Sequence, residues 1–503
     1  MEDSLKKRYS IKLVASIISG LIGAILIAIV PKELGPVAYG QFIYLQDFFA
    51  KIIGFLDMGS SIAFFTKLSA NNKRKELIIF YFIYVLVVLM SISLFMWGIN
   101  LFADISLLIP DIPNTYIYFG LLYGCFIWIT QIFMKISDAY ALTVSVEFIK
   151  ILHRVFSLFL LVAFVYLTAF DLEQYFYFHF ISLISFLLIL LWLFVKKNIF
   201  KKLQYRMNRT QFSIIMKEFL EYCSPLVSFS ILSISVGLFD IWLLQKMGGS
   251  IQMGFYGLAY SIATICFLFT SAMTPIITRE FSKAYGMVDI QKMRQLFFQY
   301  IPMLYAIAAY FGVFISFQSE NLLSIFTDEE FKDAYLVLMI MALYPIHQTY
   351  GQLSGSIFYA TGQTKRLRNI SFLSQPIGVL LSFILIYILD FEAVGLALKM
   401  VIGQWVGTNI QLYYNAKFLD FKMKYFIQHQ IYTIFFFSVL AYLSSYIIGD
   451  ASPFVSFFFS GVIYTILVII FAYIFPQIFA TNREEIKEHL VKVKNVIKRK
   501  IKK

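Results

Sequence analysis

The chain is built from long, continuous apolar runs separated by short polar segments. Fourteen runs can be recognised, and the first reads LVASIISGLIGAILIAIV. A membrane-spanning helix needs about 20 mostly apolar residues, whereas the strands of a membrane barrel are shorter and alternate polar with apolar positions. The pattern therefore predicts an all-α integral membrane protein with fourteen transmembrane helices. The runs lie near 11–30, 40–65, 77–102, 115–135, 143–167, 175–195, 224–245, 252–277, 299–317, 334–360, 369–389, 393–415, 427–448 and 453–476.

Composition agrees with a membrane protein and argues against an enzyme. Hydrophobic residues make up 60% of the chain and charged residues 14%, against about 25% charged in an ordinary soluble domain. No polar segment is long enough for a catalytic domain, and no P-loop, G-x-S-x-G or H-E-x-x-H motif occurs. We therefore expect no catalytic residues, no metal and no cofactor, although coupling to H⁺ or Na⁺ stays open.

The basic residues indicate how the chain is oriented. Lys and Arg cluster in the N-terminal segment, in the loops that follow even-numbered helices and in the C-terminal tail, while the other loops carry Lys32, Lys246 and Lys332. Cytoplasmic loops are enriched in Lys and Arg, so both termini are predicted to be cytoplasmic. The net charge of +13 suits contact with the anionic lipids of a bacterial cytoplasmic membrane, and no nucleic-acid partner is needed to explain it.

Loop lengths and a faint internal repeat predict two lobes. LGPVAYG (34–40) follows the first helix much as GGSIQMGFYG (248–257) follows the seventh. Repeats of half a chain are common in transporters and place the substrate site at the repeat interface. The predicted divisions are an N-lobe (1–198, helices 1 to 6), a cytoplasmic amphipathic linker (199–223), a C-lobe (224–418, helices 7 to 12), two further helices (419–480) and a basic cytoplasmic tail (481–503).

The fifth run contains four ionisable groups, in VEFIKILHRVF (146–156). On a helix, Glu147, Lys150 and Arg154 fall on one stripe, and His153 lies to one side of it. Arg154 would lie about 16 Å inside the membrane if this helix begins near Thr143. A charge at that depth is costly and usually faces a bundle interior or a water-filled cavity. Glu147 can pair with Lys150 or Arg154, which leaves one cation over.

Other charged residues also fall within predicted spans. Asp47 and Lys51 are spaced to pair on the second helix, with Asp57 further along the same helix. Asp240 and Lys399 are the corresponding groups in the second half of the chain. The candidates for binding an anionic substrate are Arg154, Lys51, Lys150 and Lys399. The candidates for ion coupling or charge pairing are Asp57, Asp240, Glu147 and Asp47. Gly237, in the seventh run, marks a position where a helix can bend.

Several short motifs resemble the Wzx-type polysaccharide flippases of the multidrug/oligosaccharidyl-lipid/polysaccharide exporter superfamily. They are LGPVAYGQF (34–42), DMGSSIAFFTKLS (57–69), TPIITREFSKAYGMVD (274–289), YATGQTKRLRNIS (359–371) and AVGLAL (393–398). Each motif is loose alone, but their order and spacing make the resemblance fairly specific over nearly the whole chain. Gln375-Pro376 departs from the pattern, because many members carry Asn and no proline there.

The resemblance implies a MATE-like bundle of two pseudo-repeated six-helix lobes, plus two C-terminal helices, that works by alternating access. The implied substrate is a polyprenyl-diphosphate-linked oligosaccharide, moved to the outer leaflet for capsule, O-antigen or exopolysaccharide synthesis. A polysaccharide polymerase or chain-length regulator is an implied partner, besides membrane lipids. A lipid II flippase, a MATE-type drug/cation antiporter and a non-transporting scaffold remain alternatives. An antiporter for organic cations is expected to carry acidic lone residues in its cavity, and the four Lys and Arg within the predicted spans favour an anionic substrate instead.

Overall fold

A computed structural model describes residues 5–71, 74–102, 105, 109–140, 142–200, 208–449 and 451–484. Within these ranges every regular element is a helix, which confirms the all-α fold class. Part of the predicted linker (201–207) and most of the predicted basic tail (485–503) lie outside the described residues.

The chain divides into two compact units. The first comprises Met1–Gly257 with Ser382–Ala393, and the second comprises Leu258–Leu381 with Val394–Lys503. The bounds of the lobes and of the linker given above remain a prediction, because the division into two units does not test them.

Among the described residues, seven α-helices lie wholly or mainly in the first unit. They are α1 (Leu5–Asp57), α2 (Ser60–Ala70), α3 (Glu76–Phe102), α4 (Asn114–Ala139), α5 (Thr143–Leu167), α6 (Leu172–Lys196) and α7 (Arg209–Thr264). In this unit α1 packs against α4 and α5, and α6 packs against α4 and α5. The arrangement surrounds the space between α1, α4, α5 and α6 with side chains from all four helices.

The remaining helices belong mainly to the second unit. They are α8 (Phe267–Gly286), α9 (Ile290–Phe317), α10 (Ser319–Phe326), a 3₁₀ turn (Glu329–Ala334), α11 (Tyr335–Met341), α12 (Tyr344–Ala360), α13 (Thr364–Ser382) with a π-helical continuation (Phe383–Ile388), α14 (Glu392–Leu419), α15 (Lys424–Ile448), α16 (Pro453–Ile474) and a 3₁₀ turn (Pro476–Phe479). The core of this unit is apolar and aromatic, with Phe281, Phe297, Tyr305 and Phe437 fully buried.

Ten helical stretches within the described residues are long and apolar enough to cross a membrane. Two of them, Gly20–Asp57 and Ser230–Thr264, each contain more than one of the fourteen predicted runs, in whole or in part. The predicted runs 334–360 and 393–415 fall on α11 and α12 and on α14, which are helical although they are not among the ten. The number of spanning stretches is therefore smaller than the number of predicted runs for two reasons. Some neighbouring runs belong to one continuous helix, and some runs form helices that are too short or too polar to be included.

Glycines interrupt the two longest helices at matching positions. Gly35 in α1 has φ 70° and ψ 170°, and Gly249 in α7 has φ 67° and ψ −170°. Positive φ values are readily adopted only by glycine, so each residue permits a sharp change of direction within an otherwise continuous helix. The interruption of α7 thus lies at Gly249 rather than at Gly237, where the sequence suggested a bend. The two kinks fall in the paired segments LGPVAYG and GGSIQMGFYG.

Candidate functional site

A cavity of about 520 Å³ lies within the first unit. The helices α1, α4, α5 and α6 all contribute to its wall. The lining comprises Leu26, Val30, Tyr123, Ile127, Thr130, Met134, Glu147, Lys150, His153, Arg154, Ser157, Tyr175, Phe178, His179, Ser182, Leu183 and Phe186. Polar and charged groups come mainly from α5, while α4 and α6 supply most of the aromatic rings.

The α5 stripe predicted from sequence lines this cavity. Lys150 Nζ donates to Glu147 Oε1 at 2.8 Å, and Glu147 is buried, with 6% of its surface exposed. Arg154 lines the same cavity and is exposed. Among the described side chains, none forms a hydrogen bond or an ion pair with the Arg154 guanidinium. Glu147 thus pairs with Lys150 and not with Arg154, and the three groups leave a net positive charge at the cavity.

His153 anchors α5 to α6. Its Nε2 lies 2.8 Å from the Ser182 carbonyl oxygen and 3.2 Å from Ser185 Oγ. One turn on, Ser157 Oγ and Ser182 Oγ are 2.8 Å apart. These contacts fix the rotation of α5 against α6 and therefore the direction in which the charged stripe faces. His153 also lines the cavity, together with the residues of the stripe.

His179 also lines the cavity, and the sequence analysis missed it. Its ring stacks on Phe42, with centroids 4.9 Å apart and an interplanar angle of 11°. Tyr175 and Tyr123 meet the ring edge to face, at 4.5 Å and 5.0 Å between centroids. The sequence signal that could have identified it is a single ionisable residue in the apolar run of α6, the same signal that drew attention to α5.

Lys51 does not line this cavity, although it belongs to the same unit. Its Nζ pairs with Asp47 Oδ2 at 2.7 Å on the same face of α1, as the i,i+4 spacing predicts. A Cβ added at Gly237 would come within 2.8 Å of Lys51 Cε, so the absence of a side chain at Gly237 makes room for the lysine stem. Lys399 belongs to the second unit, where it is buried and its Cε lies against Gly378 of α13.

The two aspartates proposed for ion coupling make hydrogen bonds within the first unit. Asp57 accepts from the backbone nitrogen and hydroxyl of Ser61, from the Ser60 hydroxyl and from Tyr81. It precedes the break between α1 and α2, so its carboxylate caps the first turn of α2. Asp240 is buried and accepts a 2.6 Å hydrogen bond from Ser382. These contacts supply structural roles, and ion coupling by either residue stays a prediction.

The described residues do not form a metal site. No group of three or more His, Cys, Asp or Glu among them is placed to hold a metal ion. The chemistry available in the cavity is therefore that of a positively charged, partly aromatic binding pocket.

Comparison with known proteins gives similarities at three levels. The profile of the MatE family matches residues 225–384. A probable low-salt glycan biosynthesis flippase of Haloferax volcanii, Agl15, is 25% identical over 233 residues. That similarity covers 46% of this chain and 46% of the relative, so the chain spans about half the length of the curated relative that it matches.

Solved structures of transporters have a similar fold. The lipid II flippase MurJ in an inward closed conformation is 13% identical, with a TM-score of 0.64 over 91% of this chain and 98% of that one. An inward-facing MATE family multidrug resistance transporter is 16% identical, with a TM-score of 0.61 over 84% and 96%. At these identities the similarity establishes the fold alone, which is MATE-like. Together with the apolar helices, it makes the chain a multi-pass membrane protein.

Proposed function

We propose that this protein flips a polyprenyl-diphosphate-linked oligosaccharide across the membrane by alternating access. The observation that carries the proposal is the excess positive charge in the cavity of the first unit, which is lined by Lys150 and Arg154 and, among its described lining residues, by one carboxylate, that of Glu147. A diphosphate entering a membrane protein needs cationic hydrogen-bond donors, and arginine offers two parallel donors to phosphoryl oxygens. The glycan flippase similarity favours a lipid-linked oligosaccharide.

Arg154 is the residue proposed to bind the diphosphate most directly. Its guanidinium has no hydrogen-bond or ion-pair partner among the described side chains, so binding a substrate breaks no existing ion pair. Lys150 is proposed to contact the diphosphate as well, while its ion pair with Glu147 is kept. Lys51 and Lys399 stay candidates for later contacts along the transport path. In the proposed cycle both termini are cytoplasmic, and the oligosaccharide is presented to a polymerase at the outer face. H⁺ or Na⁺ coupling is not required by this chemistry.

The experiment is a flipping assay with purified protein in proteoliposomes that contain a fluorescent lipid-linked oligosaccharide. The variants are Arg154→Ala, Arg154→Lys and Lys51→Ala. The matched control is Lys332→Ala, which removes a cation that is exposed beside Glu329. Losing a hydrogen bond to a charged group costs about 1.5–3 kcal/mol, so Arg154→Ala should slow flipping roughly tenfold or more. The flipping rate of Arg154→Lys should lie between those of the wild type and Arg154→Ala, because lysine keeps the positive charge but cannot offer two parallel hydrogen-bond donors.

Two results would count against the proposal. Wild-type rates in both Arg154→Ala and Lys51→Ala would remove the diphosphate role of the intramembrane cations. Transport of an organic cation, with no flipping of any diphosphate lipid, would instead indicate a drug antiporter. Running the assay in parallel with lipid II separates the two flippase alternatives, and a preference for lipid II would replace the oligosaccharide as substrate.

A further inference from the structure

One side chain that lines the cavity of the first unit carries a polar atom without a hydrogen-bond partner among the described residues. His179 Nε2 is buried and forms no hydrogen bond with any residue that the structure describes. Leaving a buried polar group without a partner is energetically costly, so such groups are rare and call for an explanation. His179 lines the cavity together with Arg154.

The surroundings hold the His179 ring in one orientation. Phe42 covers one face of the ring, and Tyr175, Tyr123 and Phe178 pack around it with centroids between 4.5 Å and 5.0 Å away. These aromatic contacts come from three helices, α1, α4 and α6, so the ring cannot turn without disturbing all of them. An imidazole held in this way is a preorganised donor or acceptor that awaits a partner from the cavity.

We infer that His179 is a binding residue for the head group of the anionic lipid, with Nε2–H donating to a phosphoryl oxygen beside Arg154. The inference rests on the proposed function, and it assigns this residue a role that neither motif nor similarity suggests. His153 is a contrasting case, because its Nε2 already has two partners on α6. The diphosphate therefore has three contacts in this cavity, from Arg154, Lys150 and His179, supplied by two adjacent helices.

Binding of a soluble diphosphate lipid tests the inference without requiring transport. The probe is farnesyl diphosphate, compared with farnesol, added to the full-length protein in detergent, and the dissociation constant is measured by calorimetry. His179→Phe is the main variant, because a phenyl ring preserves the aromatic packing and removes the nitrogen. His179→Gln tests rescue, because its amide N–H can still donate. We expect about tenfold weaker binding in His179→Phe and a smaller loss in His179→Gln.

His347→Phe is the matched control. His347 is also buried, and its ring nitrogen Nδ1 also has no hydrogen-bond partner among the described residues, but it belongs to the second unit. If unpartnered histidines are merely tolerated in the core, both phenylalanine variants should bind farnesyl diphosphate like the wild type and unfold at the same or a higher temperature. That result would overturn the inference. Should His179→Phe fail to fold, His179→Leu removes the nitrogen with a smaller side chain.

The same experiment separates failure of the inference from failure of the proposed function. If the wild type binds farnesyl diphosphate and Arg154→Ala loses it while His179→Phe does not, the cavity binds diphosphate and His179 has no part in it. If the wild type binds farnesol as well as it binds farnesyl diphosphate, both the proposed diphosphate site and the role of His179 are wrong. If Arg154→Ala and His179→Phe both bind farnesyl diphosphate more weakly than the wild type, and His347→Phe binds it equally well, the result supports both the diphosphate site and the role of His179.

Discussion

The backbones of Gly40 and Gly254 are in direct contact, because a Cβ placed on Gly40 would lie 2.7 Å from the Gly254 nitrogen. The contact is reciprocal. The same Cβ would overlap the carbonyl oxygen of Ser250, and a Cβ on Gly254 would overlap the carbonyl oxygen of Pro36. Gly40 and Gly254 each lie five residues after a kink glycine, so corresponding turns of α1 and α7 cross with backbone touching backbone.

A side chain at this crossing should therefore disrupt the first unit. We expect Gly40→Ala to destabilise the protein by more than about 3 kcal/mol, since the new methyl group meets rigid backbone rather than a movable side chain. Thermal unfolding in detergent, followed by intrinsic fluorescence, measures the change. Gly23→Ala is the control, because no atom of the described part of the chain lies within 4 Å of a Cβ at that position of α1. Equal unfolding temperatures in the two variants would contradict the close approach.

The local part of this arrangement can be predicted from the sequence, and the tertiary part cannot. Long apolar runs predict helices because backbone groups inside a membrane must be hydrogen-bonded within the segment. The similar glycine-containing segments after the first and seventh helices predict equivalent positions. That α1 continues through Gly35 as one kinked helix, and that Gly40 touches Gly254, depends on how α1 and α7 pack. No local signal reports that packing.

In the candidate site, too, contacts within one helix can be predicted from the sequence, and contacts between helices cannot. The Glu147–Lys150 and Asp47–Lys51 pairs follow from helical spacing alone, since residues three or four apart lie on one face. Glycine weakens helices, so the sequence alone suggests a bend at Gly237, whereas the structure places the Lys51 stem of another helix against this position. His179 was missed because Phe42 and Tyr123, which pack on its ring, are distant in sequence.

Gly237→Ala should move Lys51 without removing its charge. The added methyl group would lie within 2.8 Å of Lys51 Cε, so the lysine stem must shift and its 2.7 Å pairing with Asp47 should weaken. A lysine stem is flexible, and we expect a modest loss of stability of about 1 kcal/mol, smaller than that of Gly40→Ala. If Lys51 contacts substrate, flipping should slow as much in Gly237→Ala as in Lys51→Ala. A normal rate in Gly237→Ala with a slow rate in Lys51→Ala would show that the position of the stem is unimportant.

The ion cluster around Glu218 should make stability depend on pH. Glu218 Oε2 accepts from Lys67 Nζ at 3.2 Å and from Arg74 Nη1 at 3.1 Å. Burial acts to raise the pKa of Glu218, but the hydrogen bonds and charges of Arg74 and Lys67 outweigh it and lower the pKa below its ordinary value. The folded state therefore gains stability above the unfolded pKa of about 4.3, and this gain is lost as pH falls through the lower folded pKa.

Unfolding temperatures of the wild type and Glu218→Gln, measured from pH 3 to 8, test this dependence. The wild type should be the more stable at neutral pH, and the difference should shrink as the pH falls below about 4. Glu329→Gln is the control, because Glu329 lies 3.8 Å from Lys332 with 91% of its side chain exposed, and exposed pairs contribute little. A difference between wild type and Glu218→Gln that stays constant across this range would refute the lowered pKa.

The hydrogen bonds of Asp57 predict that it stabilises the start of α2 and that it does not couple transport to an ion. Met58 and Gly59, which follow it, have φ values of 44° and 82°, and α2 begins at Ser60. Removing a capping side chain costs about 0.5–2 kcal/mol, and Asp57→Ala also leaves Tyr81 without this acceptor. We expect Asp57→Ala to lower the unfolding temperature and Asp57→Asn, which keeps one acceptor oxygen, to lower it less. Wild-type stability in Asp57→Asn combined with lost flipping would instead favour ion coupling.

Glu147→Gln should strengthen anion binding, the opposite of the effect expected for Arg154→Ala. The amide preserves the shape of the buried side chain, and it releases Lys150 from its 2.8 Å ion pair. The cavity then gains a positive charge, so the affinity for farnesyl diphosphate should rise severalfold and depend more steeply on salt. Glu329→Gln is the control, because it also removes a carboxylate beside a lysine, and neither Glu329 nor Lys332 lines this cavity. Weaker binding in Glu147→Gln would mean that the carboxylate holds Lys150 in its binding position, and that net charge does not determine affinity.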